Sequence, residues 1–312
     1  MNEICSEISY DMMLQGQLNG VVMIKVKKIG LHTFMALPVF VLFGIFFLYP
    51  LVKGIGMSLT DWDGIRKAGF IGLDNFIAFF QDERAMNDIK TTLLFALGSA
   101  PLLNIVGLGY ALLMDSKFKG KGIARMIIYL PAIISPLIMG YIWYLLLQPG
   151  RGFLYHVMDN MGKGELFPTW TAGYTTSMVV LVLVNVWQYA GMTMVIYLAG
   201  LQAIPGELYE AAKMDGATSG GRFRYVTLPL LIPSIRINVV TNIIGSLSVF
   251  DIVMSLTGGG PGYYTETLSI YIMRMCYGSK TGYSTAVAII MFFIILVPVL
   301  ISLKMTSNKK MD

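Results

Sequence analysis

The sequence predicts an all-α membrane protein with six transmembrane helices, and three observations carry that prediction. Six apolar runs, at about 31–53, 91–114, 124–148, 175–202, 227–250 and 284–304, approach the ~20 residues of helix that cross a bilayer. Of the 312 residues, 55% are hydrophobic and 13% charged, whereas a soluble domain carries about a quarter charged residues. Lys and Arg gather in alternate connections between the runs, as a membrane topology requires.

The runs should be helices because hydrocarbon offers no partner to backbone N–H and C=O groups, so each segment must bond its own. Barrel strands would show as alternating segments of about ten residues, a pattern this chain lacks. Lys25, Lys27 and Lys28 precede the first run, and residues 1–30 read as a cytoplasmic tail. Residues 1–22 have no apolar core of a cleavable signal, and Met23 offers an alternative start. The connection 54–90 contains TDWDG at 60–64 and FIGLDNFIAFFQD at 70–82, which turns helical from about Asp74 and lies along the outer surface. Lys117, Lys119, Lys121 and Arg125 follow the second run, which small and polar residues interrupt, as they do the fifth. In the connection 149–174, Pro168, Trp170 and Tyr174 suit a headgroup-level anchor. Lys213, Arg222 and Arg224 lie between runs four and five. The connection 251–283 opens with LTGGGPGYYTET, whose glycines and proline stop a helix that re-forms after Thr265. Lys304, Lys309 and Lys310 mark the last run and the tail 305–312. The basic excess thus places both termini and the 203–226 loop in the cytoplasm. A net charge of +5 follows from this topology, so no nucleic-acid partner is expected.

Cys5 and Cys276 fall on opposite sides, which excludes a disulfide between them. His32 and His156 have too few companions to ligate a metal. Gly98, Ser99, Ala100, Gly107, Gly109, Ala190, Gly191, Ala199 and Gly200 permit close helix contact in lipid, either within this chain or against a second membrane subunit.

The most patterned polar stretch is EAAKMDGATSGGRFRYVTLP at 210–229. Pro205 suits a first helical position, and Glu207 and Glu210 suit the positive end of a helix dipole. Ala211 and Ala212 favour helix with a small profile, and Asp215-Gly216 ends it, since glycine adopts the left-handed closing conformation. Ser219-Gly220-Gly221 then disfavours a second helix by about 2 kcal/mol against alanine, so this half is expected to order on a partner.

The pattern is E-A-A, three residues, Gly, nine residues, an aliphatic, one residue, Leu-Pro. Glu210, Ala211, Ala212, Gly216, Val226, Leu228 and Pro229 fill it. With TDWDG, GLDNF at 72–76 and LTGGGPGYYTETLSIYI at 256–272, it resembles permease subunits of bacterial maltose-type carbohydrate ABC importers over nearly the whole chain from residue 31. Val226 stands where isoleucine is commoner. The resemblance implies the type I ABC importer permease fold over 31–304, in the bacterial cytoplasmic membrane. It implies pairing with a second homologous permease, a dimeric ABC ATPase gripped by Glu210 to Gly216 and Leu228-Pro229, and an extracytoplasmic solute-binding protein. It also implies alternating access driven by closure of the ATPase. The chain has no G-x-x-x-x-G-K-[ST] phosphate loop. It is therefore expected to be non-catalytic and to bind no cofactor, with ATP and Mg on the ATPase.

Polar groups within spans are the natural candidates for a substrate pathway. Asn185, Trp187, Gln188 and Tyr189 cluster in run four, with Asn242 and Ser246 in run five. Amides, hydroxyls and aromatic faces suit carbohydrate; the alternative is interhelical hydrogen bonding. Asn238, Thr241, Ser248 and Asp251 stand nearby, and Arg236 is read as reaching the interface or a partner loop. Glycerol 3-phosphate or another polyol derivative is an alternative cargo, although that anion would favour a mid-membrane cation. An ion-coupled secondary transporter is a more distant reading, and it usually needs buried mid-span acids, which these runs lack.

Overall fold

A computed structural model describes residues 35–116, 119–163 and 173–307. The expectations placed on Cys5, Met23, Lys25, Lys27, Lys28, His32, Lys117, Pro168, Trp170, Lys309 and Lys310 lie outside the described residues. The described chain is helical, with a lone antiparallel bridge, Thr60 to Phe70, as its only β pairing.

The chain forms two compact units, one ending at Met57 and one running from Ser58. The first holds nearly all of α1 (Met35–Ser58), an apolar helix with a π-helical stretch at Gly44–Leu48. Its length and hydropathy suit a membrane span.

In the second unit a short helix, α2 (Asp74–Gln81), leads into the long α3 (Glu83–Asp115). Asp82 caps α3 by accepting from the Arg84 and Ala85 amides, which satisfies donors that every helix start leaves open. The third apolar run becomes two helices, α4 (Lys121–Ile133) and α5 (Pro136–Leu147), followed by α6 (Phe153–Asn160). After α7 (Tyr174–Gln202) come α8 (Gly206–Met214) and α9 (Ser219–Leu230). They are followed by α10 (Ile232–Leu247), α11 (Asp251–Leu256), α12 (Leu268–Tyr277) and α13 (Thr281–Ser307).

Four helices (α1, α3, α7 and α13) are each long and apolar enough to span, and counting each bent pair as one span gives six. Runs three and five, read as one helix each, are bent pairs. Run three turns by 97° between α4 and α5. Pro136 crowds the residue before it out of the helical region; accordingly Ser135 has ψ 130°, and Ile134 before it is extended too, at ψ 138°. Run five bends by 68° between α9 and α10. Pro233 has no N–H for the Pro229 carbonyl and its ring clashes there, so the helix breaks at Leu231.

Lipid tails are as apolar as leucine, so helices associate in a membrane by close packing more than by hydrophobic burial. The central pair, α3 and α7, shows this. A Cβ on Gly98 would lie 3.2 Å from Val182, and one on Gly107 2.5 Å from Thr193. On the next flank of α7, a Cβ on Gly191 would lie 2.3 Å from the Ile128 carbonyl oxygen of α4. Gly109 differs, with nothing within 4 Å of the same position. Phe95, Leu181, Ile252, Val253 and Leu256 fill the core between these helices and α11.

At the far end of α10 from α9, the TGGGPG turn is held by a buried ion cluster. Glu266 is fully buried and accepts a bidentate pair from Arg84, Nε at 2.7 Å and Nη2 at 2.9 Å, while Arg274 lies at 2.8 Å. Arg274 also donates to the Gly258 carbonyl at 2.7 Å, and the Tyr263 ring stacks on the Arg84 guanidinium at 3.7 Å. Thr267 donates to the Val249 carbonyl at 3.0 Å, and Thr92 accepts from the Leu268 amide at 2.9 Å. The glycines have a role here: Gly258, Gly259 and Gly262 all have positive φ. The motif is thus a pin across helix ends. TDWDG likewise caps its own turns, with Asp61 accepting from the Gly69 amide and Asp63 from those of Ile65 and Arg66.

Candidate functional site: an exposed elbow and a polar cavity

Two features stand out, joined by α9 and α10. The first is the elbow of α8 and α9. Pro205 is the N-cap of α8, one position earlier than its sequence suggested, and Glu207 and Lys213 complement the two ends of the dipole. The C-terminus closes as a Schellman motif. The Gly216 amide donates to the Lys213 carbonyl at 3.1 Å and the Ala217 amide to the Ala212 carbonyl at 2.9 Å, with Gly216 at φ +78°. Thr218 then caps α9 by accepting from the Gly221 amide. The Ser219-Gly220-Gly221 turn expected to lack intrinsic order is therefore the first turn of a helix that continues to Leu230.

The two arms of the elbow are tied together. Tyr209 of α8 hydrogen-bonds Thr227 of α9 at 3.1 Å, and Thr227 is buried. Below them Gly200 lets α7 approach α10: a Cβ there would fall 2.1 Å from the Ser234 hydroxyl. Glu210, Ala211, Asp215 and Gly216 are exposed, Ala212 is half-buried, and Leu228 and Pro229 are half-buried at the inner arm. The elbow thus presents a small, exposed helix face on a braced base. Arg236, just inside α10, donates to the Thr306 carbonyl at 2.6 Å and its hydroxyl at 3.2 Å, holding α10 to the end of α13.

The second feature is a cavity of about 290 Å³ between α7 and α10, with Pro136 of α5, Leu103 of α3 and the start of α11 at its edges. Asn185, Tyr189, Asn242 and Ser246 line it, together with Asn238, Thr241, Ser248 and Asp251. Trp187 and Gln188 do not. At about 100° per residue Trp187 sits roughly 160° round the helix from Asn185, while Gln188 sits about 60° to one side of it and Tyr189 and Thr193 about 40° and 80° to the other. Trp187 is instead exposed and packs edge-to-face on Trp143, while Gln188 is fully buried and donates to the Ile134 carbonyl at 3.3 Å, across the bend of run three. Thr193, also in the wall, was not singled out from the sequence, though its place eight residues after Asn185 on the same helical face marked it.

The polar wall is partly satisfied from within. Asn185 donates to Ser99 of α3 at 2.5 Å, Thr193 donates to Asn242 Oδ1 at 3.3 Å, and Asn238 donates to the Thr193 carbonyl at 3.3 Å. Asn242 Nδ2 and the Ser246 hydroxyl, both buried, have no hydrogen-bond partner among the described residues. Buried polar atoms are nearly always paired, so two orphans behind one cavity wall mark hydrogen-bonding capacity that the bundle itself leaves unused. No group of three or more acidic, His or Cys side chains fit for a metal occurs among the described residues.

An exposed elbow braced to the spans and a polar cavity at their middle define a polytopic transport permease. The chain belongs to the family of binding-protein-dependent transport system inner membrane components, whose pattern matches residues 104–307. It is a multi-pass membrane protein with the fold of ABC importer permeases. It is 34% identical to the probable starch degradation products transport system permease protein AmyD of Thermoanaerobacterium thermosulfurigenes, over 85% of this chain and 90% of that one. It is 30% identical to the trehalose/maltose transport system permease protein MalF of Thermococcus litoralis, over 90% and 95% of the two chains. Among solved structures, it matches a chain of a bacterial ABC transporter involved in the import of the acidic polysaccharide alginate. That match has a TM-score of 0.78 and 26% identity, covering 92% of this chain and 98% of that one.

Proposed function

We propose that this chain is the transmembrane permease subunit of an ATP-driven sugar or oligosaccharide importer. In this reading it forms half of the translocation pathway and couples to the ATPase through the 203–226 loop. The observation that carries the cargo class is the cavity wall: amides and hydroxyls from α7 and α10, and the Tyr189 ring. A sugar offers matching hydroxyls and an apolar ring face. The importers named for starch degradation products and for trehalose/maltose support the same class.

Hydrolysis belongs to a separate ATPase dimer that carries ATP and Mg. The exposed Glu210–Gly216 face docks on it, Glu210 through a charged contact and Ala211-Ala212 by allowing close approach. Leu228 and Pro229 set the angle at which α9 meets α10. Closure of the ATPase moves α8, the Tyr209–Thr227 tie carries that motion into α9, and the bend at Leu231 passes it to the cavity wall. A second homologous permease supplies the other half of the pathway, and an extracytoplasmic binding protein delivers cargo. The excess of Lys and Arg in alternate loops supports a topology with both termini and the elbow in the cytoplasm.

The test is reconstitution with a companion permease, an ATPase and a binding protein of the same kind of importer. The expected result is ATP-dependent uptake of a labelled malto-oligosaccharide. Asn242→Ala should reduce it at least tenfold without loss of ATPase association. Unchanged uptake by Asn242→Ala and Ser246→Ala together would overturn the pathway assignment.

A further inference from the structure

We propose that Asp251 makes this cavity select uncharged over anionic cargo, so that sugars bearing carboxylate or phosphate are rejected at its edge. The inference rests on the proposed pathway and adds its electrostatic sign. Among the described residues, Asp251 is the only charged side chain in the cavity wall. It is exposed there and forms no ion pair among the described residues. No compensating cation is near at hand in the walls. Helices α5 and α7 contain no Lys or Arg, and the one basic residue of α10, Arg236, is committed to Thr306 at the helix's other end. Arg84 and Arg274, beyond α11, are both engaged by Glu266.

The same carboxylate serves a neutral polyol well. A carboxylate accepts hydrogen bonds and cannot donate, and its charge strengthens those it accepts from sugar hydroxyls. The exposed Thr241 and Ser248 add hydroxyls to the same wall. An anion entering this cavity would shed water without meeting a cation and would face a like charge at the edge. With an effective dielectric of about 40 and a separation of about 8 Å, one unit charge changes the local concentration of a monovalent ion about fivefold. A cationic and an anionic probe of equal size should therefore differ about thirtyfold in access, in favour of the cation.

Thiol chemistry reads this without depending on the specificity of a binding protein. In the assembled transporter, with Cys5 and Cys276 changed to Ser, Ser248→Cys places a thiol in the exposed part of the wall. Its reaction rates with 2-aminoethyl and 2-sulfonatoethyl methanethiosulfonate are each divided by the rate on a small free thiol. The expected ratio is about thirty with Asp251, near one with Asp251→Asn, and restored by Asp251→Glu. A ratio that Asp251→Asn leaves unchanged, or an anionic reagent that reacts as fast as the cationic one, overturns the proposal. Shielding of the same thiol by saturating maltotetraose tests the underlying pathway separately. A charge preference without shielding would sink the pathway reading, shielding without a charge preference would sink only this inference, and a thiol inert to both reagents would sink both.

Discussion

Gly216 offers the sharpest perturbation of the elbow. Its φ of +78° lies in the left-handed region, and a Cβ built there meets nothing within 4 Å. Any penalty from substitution therefore comes from the backbone. A residue with a Cβ in that conformation is disfavoured by about 1–2 kcal/mol, which shifts the closed end of α8 toward an open one about fivefold to thirtyfold. Because α8 has no buried residues, the penalty should leave the bundle and its membrane insertion intact. ATP-dependent uptake and co-purification of the ATPase should fall together by that factor for Gly216→Ala and further for Gly216→Val. Gly216→Asn should be nearest to wild type, since asparagine tolerates the left-handed region. Wild-type uptake by Gly216→Val would refute the reasoning. Equal losses for Asn and Val would assign the effect to bulk at a docking surface, not to the helix-closing turn.

Three further outcomes follow from the same geometry. Gly191→Ala should destabilise the protein by about 1–3 kcal/mol, because its Cβ would press on the rigid backbone of α4, whereas Gly109→Ala, with open space, should be neutral or stabilising; thermal denaturation in detergent compares them. Glu266→Ala should cost about 2–3 kcal/mol by stranding two guanidiniums that are each over a quarter exposed, whereas Asp88→Asn should be neutral or stabilising, since both Asp88 carboxylate oxygens are buried without a partner among the described residues. At Asp82, burial opposes ionisation, but the Tyr271 hydroxyl and the Ala85 and Arg84 amides prevail and hold its carboxyl below the usual range. Its stabilisation is therefore present above the unfolded carboxyl's value and lost as pH falls below about 4, and a melting series from pH 7 to 3 should show a smaller acid-side loss for Asp82→Asn.

The features legible in the sequence were those set by local chemistry. Length and apolarity marked α3, α7 and α13, and the run from Pro205 to Gly216 spelled out a capped helix with a left-handed stop. Pro136 and Pro233 were visible too, yet apolarity alone does not show direction, and the backbone turns by 97° and 68° within runs 124–148 and 227–250. The pathway was read by closeness in sequence, which grouped Trp187 and Gln188 with Asn185, although helical geometry turns Trp187 to the opposite side and Gln188 is taken up by the Ile134 carbonyl. A strict 3.6-residue reading would have removed Trp187 and added Thr193, but it would have kept Gln188 at the edge of the face, where only the neighbouring α4–α5 bend claims it. Ser99 as the partner of Asn185, and Arg84 as the partner of Glu266 from 182 positions away, carry no local signature at all. Only the folded bundle brings them together.

The elbow's role as the link between an ATPase and the sugar pathway is tested most directly in proteoliposomes holding the two permeases, with the ATPase either present or omitted. The account predicts malto-oligosaccharide uptake only when the ATPase, ATP and the binding protein are all supplied, and loss of that uptake in Gly216→Val while the two permeases still co-purify. Uptake that proceeds without the ATPase would contradict it.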